Sequence, residues 1–432
     1  MYHLVKKAPS SLSYKCSSTE RGGSERIMKY VVILGDGMAD EPIAELGNLT
    51  PLQKADKPMM DWLAKHGEVG LLQTIPEGLE PGSDTANLSV LGYDPKVYYT
   101  GRSPLEAVSM GIRLQENDIT YRCNLVTLSE TEPYEEKTIE DHSADEITTE
   151  EAIQLIEAVK AYFETENIRF YHGISYRHLM LWEGGPLDVC LTPPHDILEQ
   201  SIKKYLPQGE KCDIILKMMK QSYGILKNHP VNQARIKKGL RPANSLWFWG
   251  EGKRPELPSF EEKYRCKGSV ISAVDLIKGI ALGSGMNSID VEGATGNIHT
   301  NYQGKAEATL EELKRGQDFV YLHIEAPDEC GHRHEIHNKV KAIEQIDKYL
   351  VEPIKTTLDK WGEDYRILIL PDHPTPLRLR THTSDPVPYI LYDSRSHSYH
   401  EEYTYDEAAA KATGIYFTEG HKFMDYFLEK SL

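Results

Sequence analysis

The chain has 432 residues, 40% of them hydrophobic and 27% charged, with a formal net charge of -17. No apolar run reaches the roughly 18–20 residues that a membrane-spanning helix needs, and so negative a field repels nucleic acid and acidic lipid surfaces. The length supports one large or two ordinary domains, and a small anionic substrate would require a local positive focus of metal ions or Arg and Lys side chains.

In chain order, Met1 to Ile27 is polar and holds no continuous apolar stretch, so it reads as a disordered extension rather than a secretory signal. A Lys-, Arg- and Ser-rich transit peptide is the alternative. The six cysteines (Cys16, Cys123, Cys190, Cys212, Cys266 and Cys330) form no CxxC pair, which fits a reducing compartment, and the cytoplasm is expected. Short apolar runs bounded by turn residues then mark buried parallel strands at Tyr30–Leu34, Ser269–Ser272, Asp318–Ile324, Arg366–Leu370 and Pro388–Tyr392. Helical periodicity falls between them at Met59–His66, Val274–Leu282, Ala306–Lys314, Val340–Leu358 and His421–Glu429. That alternation predicts an α/β fold with a doubly wound, mostly parallel sheet.

Residues 111–254 break the rhythm. Helix candidates (Thr149–Glu164, His195–Lys203) mix with strand candidates (Thr120–Leu128, Phe170–Trp182, Ser245–Trp249), punctuated by Thr192-Pro193-Pro194. The expected organisation is a core of residues 28–110 and 255–432 interrupted by a smaller α/β or α+β domain.

Three of the predicted strands run straight into acidic and imidazole groups. Tyr30–Leu34 leads to Gly35-Asp36-Gly37, Asp318–Ile324 leads to Asp328 and His332 in APDECGH, and Arg366–Leu370 leads to Asp372-His373. Ligands of open α/β sheets gather at the carboxyl ends of strands, so neighbouring strands would bring these groups into one crevice. His382, before the last core strand, is a further candidate. Carboxylates mixed with imidazoles suit Mn²⁺ or Zn²⁺, with Mg²⁺ or Co²⁺ as further choices. Each motif alone is as well read as a turn or a helix cap; the coincidence at three strand ends is what points to metal. Ser83, in Glu80-Pro81-Gly82-Ser83-Asp84, opens a predicted helix. Either it caps that helix, or it is a nucleophile at an anion-attracting helix terminus.

These motifs resemble the archaeal-type cofactor-independent phosphoglycerate mutases of the alkaline phosphatase superfamily. The likeness runs from Lys29 to about Ser394 through VVILGDGMAD, PGSDTANLSVLGYDP, TGRSPLEA, SYRHLMLW, TPPHDI, SLWFWGEG, ISAVDLIKGI, EAPDECGH, LPDHPTP and RTHTSDPVPY. The resemblance implies two metals, one held by Asp328, His332 and His382, the other by Asp36, Ser83, Asp372 and His373. It implies that Ser83 takes the phosphoryl group of 3-phosphoglycerate and returns it to the other hydroxyl without 2,3-bisphosphoglycerate, beneath a closing cap. Arg177 is then a carboxylate or phosphate clamp, His142 a general acid or base, and Lys263 a substrate contact near the metals. Arg102, Lys253 and Arg254 are weaker additions to the positive focus. A homoserine kinase-like phosphotransferase and a metal-dependent phosphatase share such a core, as would a silent scaffold that had lost ligands. The chain carries no Walker GxxxxGK[ST] motif, and every ligand position is filled. The oligomeric state is not legible in the sequence.

Overall fold

The computed structural model of the chain describes residues 28–429; the expected extension over residues 1–27 lies outside them. The chain forms two compact units. One comprises the described residues up to Val97, Pro258–Val274 and the residues from Gly285 onward; the other comprises Tyr98–Leu257 and Asp275–Ser284. The second unit therefore takes in a helix, Asp275–Gly283, that lies beyond the sequence-expected insert. It belongs there because Gly279 rides directly on the Leu105 main chain, where even an added Cβ would clash.

The first unit is built on an eight-stranded sheet in the order Asn287–Ile289, Gly268–Ile271, Phe319–Ile324, Lys29–Gly35, Tyr365–Leu370, Val387–Asp393, Glu68–Leu72, Tyr416–Phe417. Only Val387–Asp393 runs antiparallel to its neighbours. The central strands are buried along nearly their whole length, as expected when helices cover both faces. Their register sets the site. Gly35 pairs with Ile324 and Leu34 with Leu370, so three strands finish level and the next residues of each emerge on one edge.

The helix expected over Val340–Leu358 is longer and irregular. It runs as Ile336–Ile346, a π-helical stretch Asp347–Val351, and Glu352–Trp361. Pro353 has no N–H to donate to the preceding turn, and the widened turn accommodates that loss. Among the described residues no helix is long and apolar enough to cross a membrane.

The second unit has a five-stranded sheet, antiparallel in every pairing, centred on Asp118–Leu128. Trp247, Phe248 and Tyr121 are part of its core. The expected single strand Phe170–Trp182 is instead a hairpin of Ile168–Tyr171 and Arg177–Glu183, since Ser175 takes a left-handed φ of 55°. The expected helix His195–Lys203 is two 3₁₀ turns, Pro194–Ile197 and Ile202–Tyr205, separated by Glu199 at φ 60°. Two further helices, Cys212–Leu226 and Pro230–Lys237, complete the unit.

Candidate metal centre

At the level edge of the first unit's sheet, two ligand groups assemble. Asp328, His332 and His382 offer ligand atoms within 4.8 Å of one another, as do Asp36, Asp372 and His373. In the first group, His332 Nε2 is 3.2 Å from Asp328 Oδ2, and His382 Nε2 is 3.4 Å from Asp328 Oδ1. Asp328 lies in the first turn of the short helix Ala326–His332 and His332 closes it, and their i,i+4 spacing turns both toward the same point. In the second, His373 Nε2 is 3.6 Å from Asp36 Oδ1 and 3.4 Å from Asp372 Oδ2. The His373 and His382 rings stack at 3.9 Å, so the two groups adjoin.

Ser83 joins them. It is the first residue of the helix Ser83–Val90, whose N-cap is Gly82, and its side chain makes no capping bond. Its Oγ is instead 3.1 Å from His373 Nε2. One turn on, the Asn87 amide donates to Ser83 O (2.8 Å) and to Asp372 Oδ2 (3.0 Å), tying the serine's turn to a candidate ligand. Gly37 completes the packing with φ 63°; a Cβ there would meet Thr375 Oγ1 and the Asp328 backbone.

The electrostatics follow from packing acidic and imidazole groups together out of water. Burial first, then the charges of Asp372 and Asp328, push the Asp36 carboxyl well above its usual range. Its Oδ1 is buried without a hydrogen-bond partner, a costly condition for an isolated acceptor. Burial would also raise Asp328, but hydrogen bonds from His332 and His382 hold it well below the usual value. Burial alone would lower His332; the Asp328 carboxylate outweighs it and lifts the imidazole to about 9. Burial leaves His373 lowered.

Several supporting groups escaped the sequence reading. His323 sits inside the buried strand and places Nε2 3.1 Å from Asp36 Oδ2, with Nδ1 3.3 Å from Ser272 Oγ. Thr375 Oγ1 donates to Asp328 Oδ1 and lies 3.3 Å from His373 Nδ1. Lys263, on the short helix Phe260–Tyr264, donates through its amine to Gly92 O and lies 5.0 Å and 4.9 Å from the Tyr93 and Tyr264 ring centroids.

Within the second unit, the expected cationic residues separate into two sets. Lys253 and Arg254 are exposed at the end of a strand. Arg102 and Arg122 share Glu106, at 3.2 Å and 2.9 Å, and the Arg122 guanidinium stacks 4.3 Å over Trp249. His195 packs on Trp249 at 5.2 Å, His142 on His195 at 6.1 Å and on Tyr176 at 5.5 Å, and Arg177 stacks on Tyr176 at 5.8 Å. His142 Nδ1 is buried with no partner, and burial lowers its pKa. Arg122, Trp249 and His195 had a signal: they stand in or beside strands and motifs (SLWFWGEG, TPPHDI) quoted above without a role.

Comparison with known proteins is consistent with this geometry. Residues 64–232 match the family model described as 2,3-bisphosphoglycerate-independent phosphoglycerate mutase. The chain is 49% identical over 403 residues to a Geobacter sulfurreducens protein named "Probable 2,3-bisphosphoglycerate-independent phosphoglycerate mutase", covering 93% of this chain and 100% of that one. A solved structure of the PH0037 protein from Pyrococcus horikoshii superposes with a TM-score of 0.76 at 30% identity, over 93% of this chain and 97% of that one. The cofactor-independent phosphoglycerate mutase of Thermoplasma acidophilum follows with a TM-score of 0.59 at 28% identity, over 93% and 99%. With full-length coverage at such identity, the chain belongs to the 2,3-bisphosphoglycerate-independent phosphoglycerate mutase family.

Proposed function

We propose that the chain interconverts 3-phosphoglycerate and 2-phosphoglycerate through a phosphoserine at Ser83. The observation that carries this reading is the Ser83 hydroxyl, which caps nothing and stands 3.1 Å from His373 beside two groups of candidate ligands. The residues fit a pair of divalent cations: Asp36 Oδ1 is a buried acceptor without a partner, and the charges of Asp372 and Asp328 bear on its carboxyl. Asp328, His332 and His382 would hold one cation and Asp36, Ser83, Asp372 and His373 the other, Mn²⁺ or Zn²⁺ suiting the mixed oxygen and nitrogen donors. Such ions supply charge neutralisation for the phosphate and a lowered serine hydroxyl pKa.

The chain's own residues do the rest. Ser83 Oγ forms a bond to phosphorus as the bond to the substrate's C3 oxygen breaks, and the hydroxyl proton ends on that C3 oxygen. The glycerate C2 oxygen then attacks as its proton leaves, the Oγ–phosphorus bond breaks, and Oγ takes a proton back, restoring the serine. No external phosphate donor is consumed, so 2,3-bisphosphoglycerate is not required. Asn87 and His323 fix Asp372 and Asp36, so that positioning is preset, which is most of what phosphoryl transfer asks of a protein. In the second unit, the planar forks of Arg102, Arg122 and Arg177 supply the positive focus that an acidic protein needs for a small phosphorylated acid. A cytoplasmic setting agrees with glycolytic or gluconeogenic use.

The test is a three-arm assay of metal-loaded protein: enolase-coupled isomerisation of 3-phosphoglycerate, phosphate release from it, and ATP-dependent phosphorylation of homoserine. Isomerisation should dominate. Phosphate release far exceeding isomerisation would make the protein a hydrolase and overturn the reading.

A further inference from the structure

The helix Ile336–Ile346 carries a lysine that does not behave as a surface charge. Lys339 is 0% exposed. Its ammonium donates to Asp40 Oδ2 at 2.7 Å, to Thr375 O at 2.8 Å and to Ala39 O at 3.4 Å, using all three protons. These acceptors belong to different loops. Ala39 and Asp40 lie just beyond Asp36 on the loop leaving the first strand; Thr375 lies two residues beyond His373 on the loop leaving Tyr365–Leu370. The loops also touch directly, through bridges from Met38 and Ala39 to Pro374 and a bond from Thr375 N to Ala39 O. Asp40 is itself fully engaged, accepting from Glu41 N at 2.8 Å and from Leu377 N at 3.2 Å. On the other side of the junction, Glu407 accepts from Asp40 N at 3.0 Å and from Thr50 Oγ1 at 2.6 Å.

We infer that Lys339 is a positioning residue for metal binding, its ammonium clamping the Asp36 loop to the Asp372-His373 loop. Burying an ammonium and a carboxylate costs several kcal/mol per ion before their attraction is counted, so a mere fold-holding role is better filled by apolar side chains. What an apolar side chain lacks is three directed donors at one point. Through Thr375, whose hydroxyl meets both Asp328 and His373, the clamp reaches both ligand groups.

The inference rests on the two-metal reading, so metal binding is measured directly. The pair Lys339→Met with Asp40→Asn removes the clamp while leaving no unpaired buried charge. Mn²⁺ titration into metal-free protein should show affinity about 10- to 100-fold below that of the unaltered protein, the usual cost of losing outer-shell support. In the loaded enzyme kcat should fall with KM for 3-phosphoglycerate unchanged, while the thermal midpoint without metal stays close to the original. Unaltered Mn²⁺ affinity, or a lowered midpoint without an affinity loss, would overturn the inference. If the double variant does not fold, Lys339→Gln, which keeps donors but loses charge, is titrated instead; failure of both to fold would make the pair a folding element and end the proposal. Were the unaltered protein itself to bind no Mn²⁺, the two-metal reading would fail, and the clamp with it.

Discussion

Truncating Ser83 to alanine separates the two roles open to a serine at a helix start. Because Gly82 occupies the N-cap and the Ser83 side chain makes no cap bond, Ser83→Ala forfeits no capping energy. It loses the 3.1 Å contact with His373, worth about 1 kcal/mol for an ordinary hydrogen bond, and gains a few tenths in helix propensity. The net change should lower the thermal midpoint by roughly 2 °C or less in a chain this large. Activity should respond on another scale. Removing a nucleophile elsewhere costs about 10⁶ in turnover, so a loss of at least about 10⁴-fold, about 5.4 kcal/mol, is expected here. Enolase-coupled turnover gives the activity, calorimetry the midpoint, and intact mass the phosphoserine, which should be trapped from 3-phosphoglycerate by the original protein and not by the variant. A variant retaining activity within tenfold of the original would refute the phosphoserine route. A midpoint lowered by many degrees would return Ser83 to a structural role.

Other outcomes follow from the same geometry. Asp328→Asn removes the carboxylate that holds His332 and His382 together and should cost one metal ion per chain by elemental analysis; undiminished stoichiometry would contradict the ligand assignment. His323→Leu deletes the contacts with Asp36 and Ser272, and should weaken metal binding about 10- to 100-fold without removing a ligand; equal affinity would show that Asp36 needs no support. Asp347, buried while accepting from Met59 N and Met60 N, has its pKa pushed by burial up to about 6. The folded state then keeps a proton that the unfolded chain releases near pH 4, so stability falls between pH 4 and 6 by up to about 3 kcal/mol. Asp347→Asn should remove that slope in denaturant titrations, and an unchanged slope would place the proton elsewhere.

The sheet and the acidic and imidazole groups at its strand ends were legible because both are local signals. Runs such as YVVIL and RILIL admit little but buried strands, and the residues that follow each run are at its end by covalent connection. That Asp36, Asp328 and Asp372 converge was an inference about neighbours, and the register of Gly35 against Ile324 and Leu34 against Leu370 is its physical basis. What stayed hidden depends on contacts across the fold. Lys339 lies on a helix whose sequence reads as amphipathic, and only its surroundings reveal a buried charge. His323 is indistinguishable by pattern from the core residues beside it. Arg122 sits within a strand and acquires its setting from Glu106 and Trp249, far away along the chain. The assumed helix at His195–Lys203 failed for a local reason instead: Glu199 takes a left-handed φ and separates two 3₁₀ turns.

The two ligand groups differ in charge, and that difference has consequences for loading. The first group has one carboxylate and two imidazoles, the second two carboxylates and one imidazole. In the first group the Asp328 carboxylate raises His332 to about 9, so near neutral pH that imidazole is protonated and must lose its proton to become a ligand. In the second, burial lowers His373, while burial and the charges of Asp372 and Asp328 raise Asp36. Loading the first group near pH 7.5 should therefore release about one proton from His332, and its affinity should climb as pH rises toward 9. Calorimetric titration of Mn²⁺ in buffers of different ionisation enthalpy reads that proton directly, and Asp328→Asn should abolish the His332 share. Heats independent of the buffer would mean that His332 is already neutral, and that the carboxylate does not control the imidazole beside it.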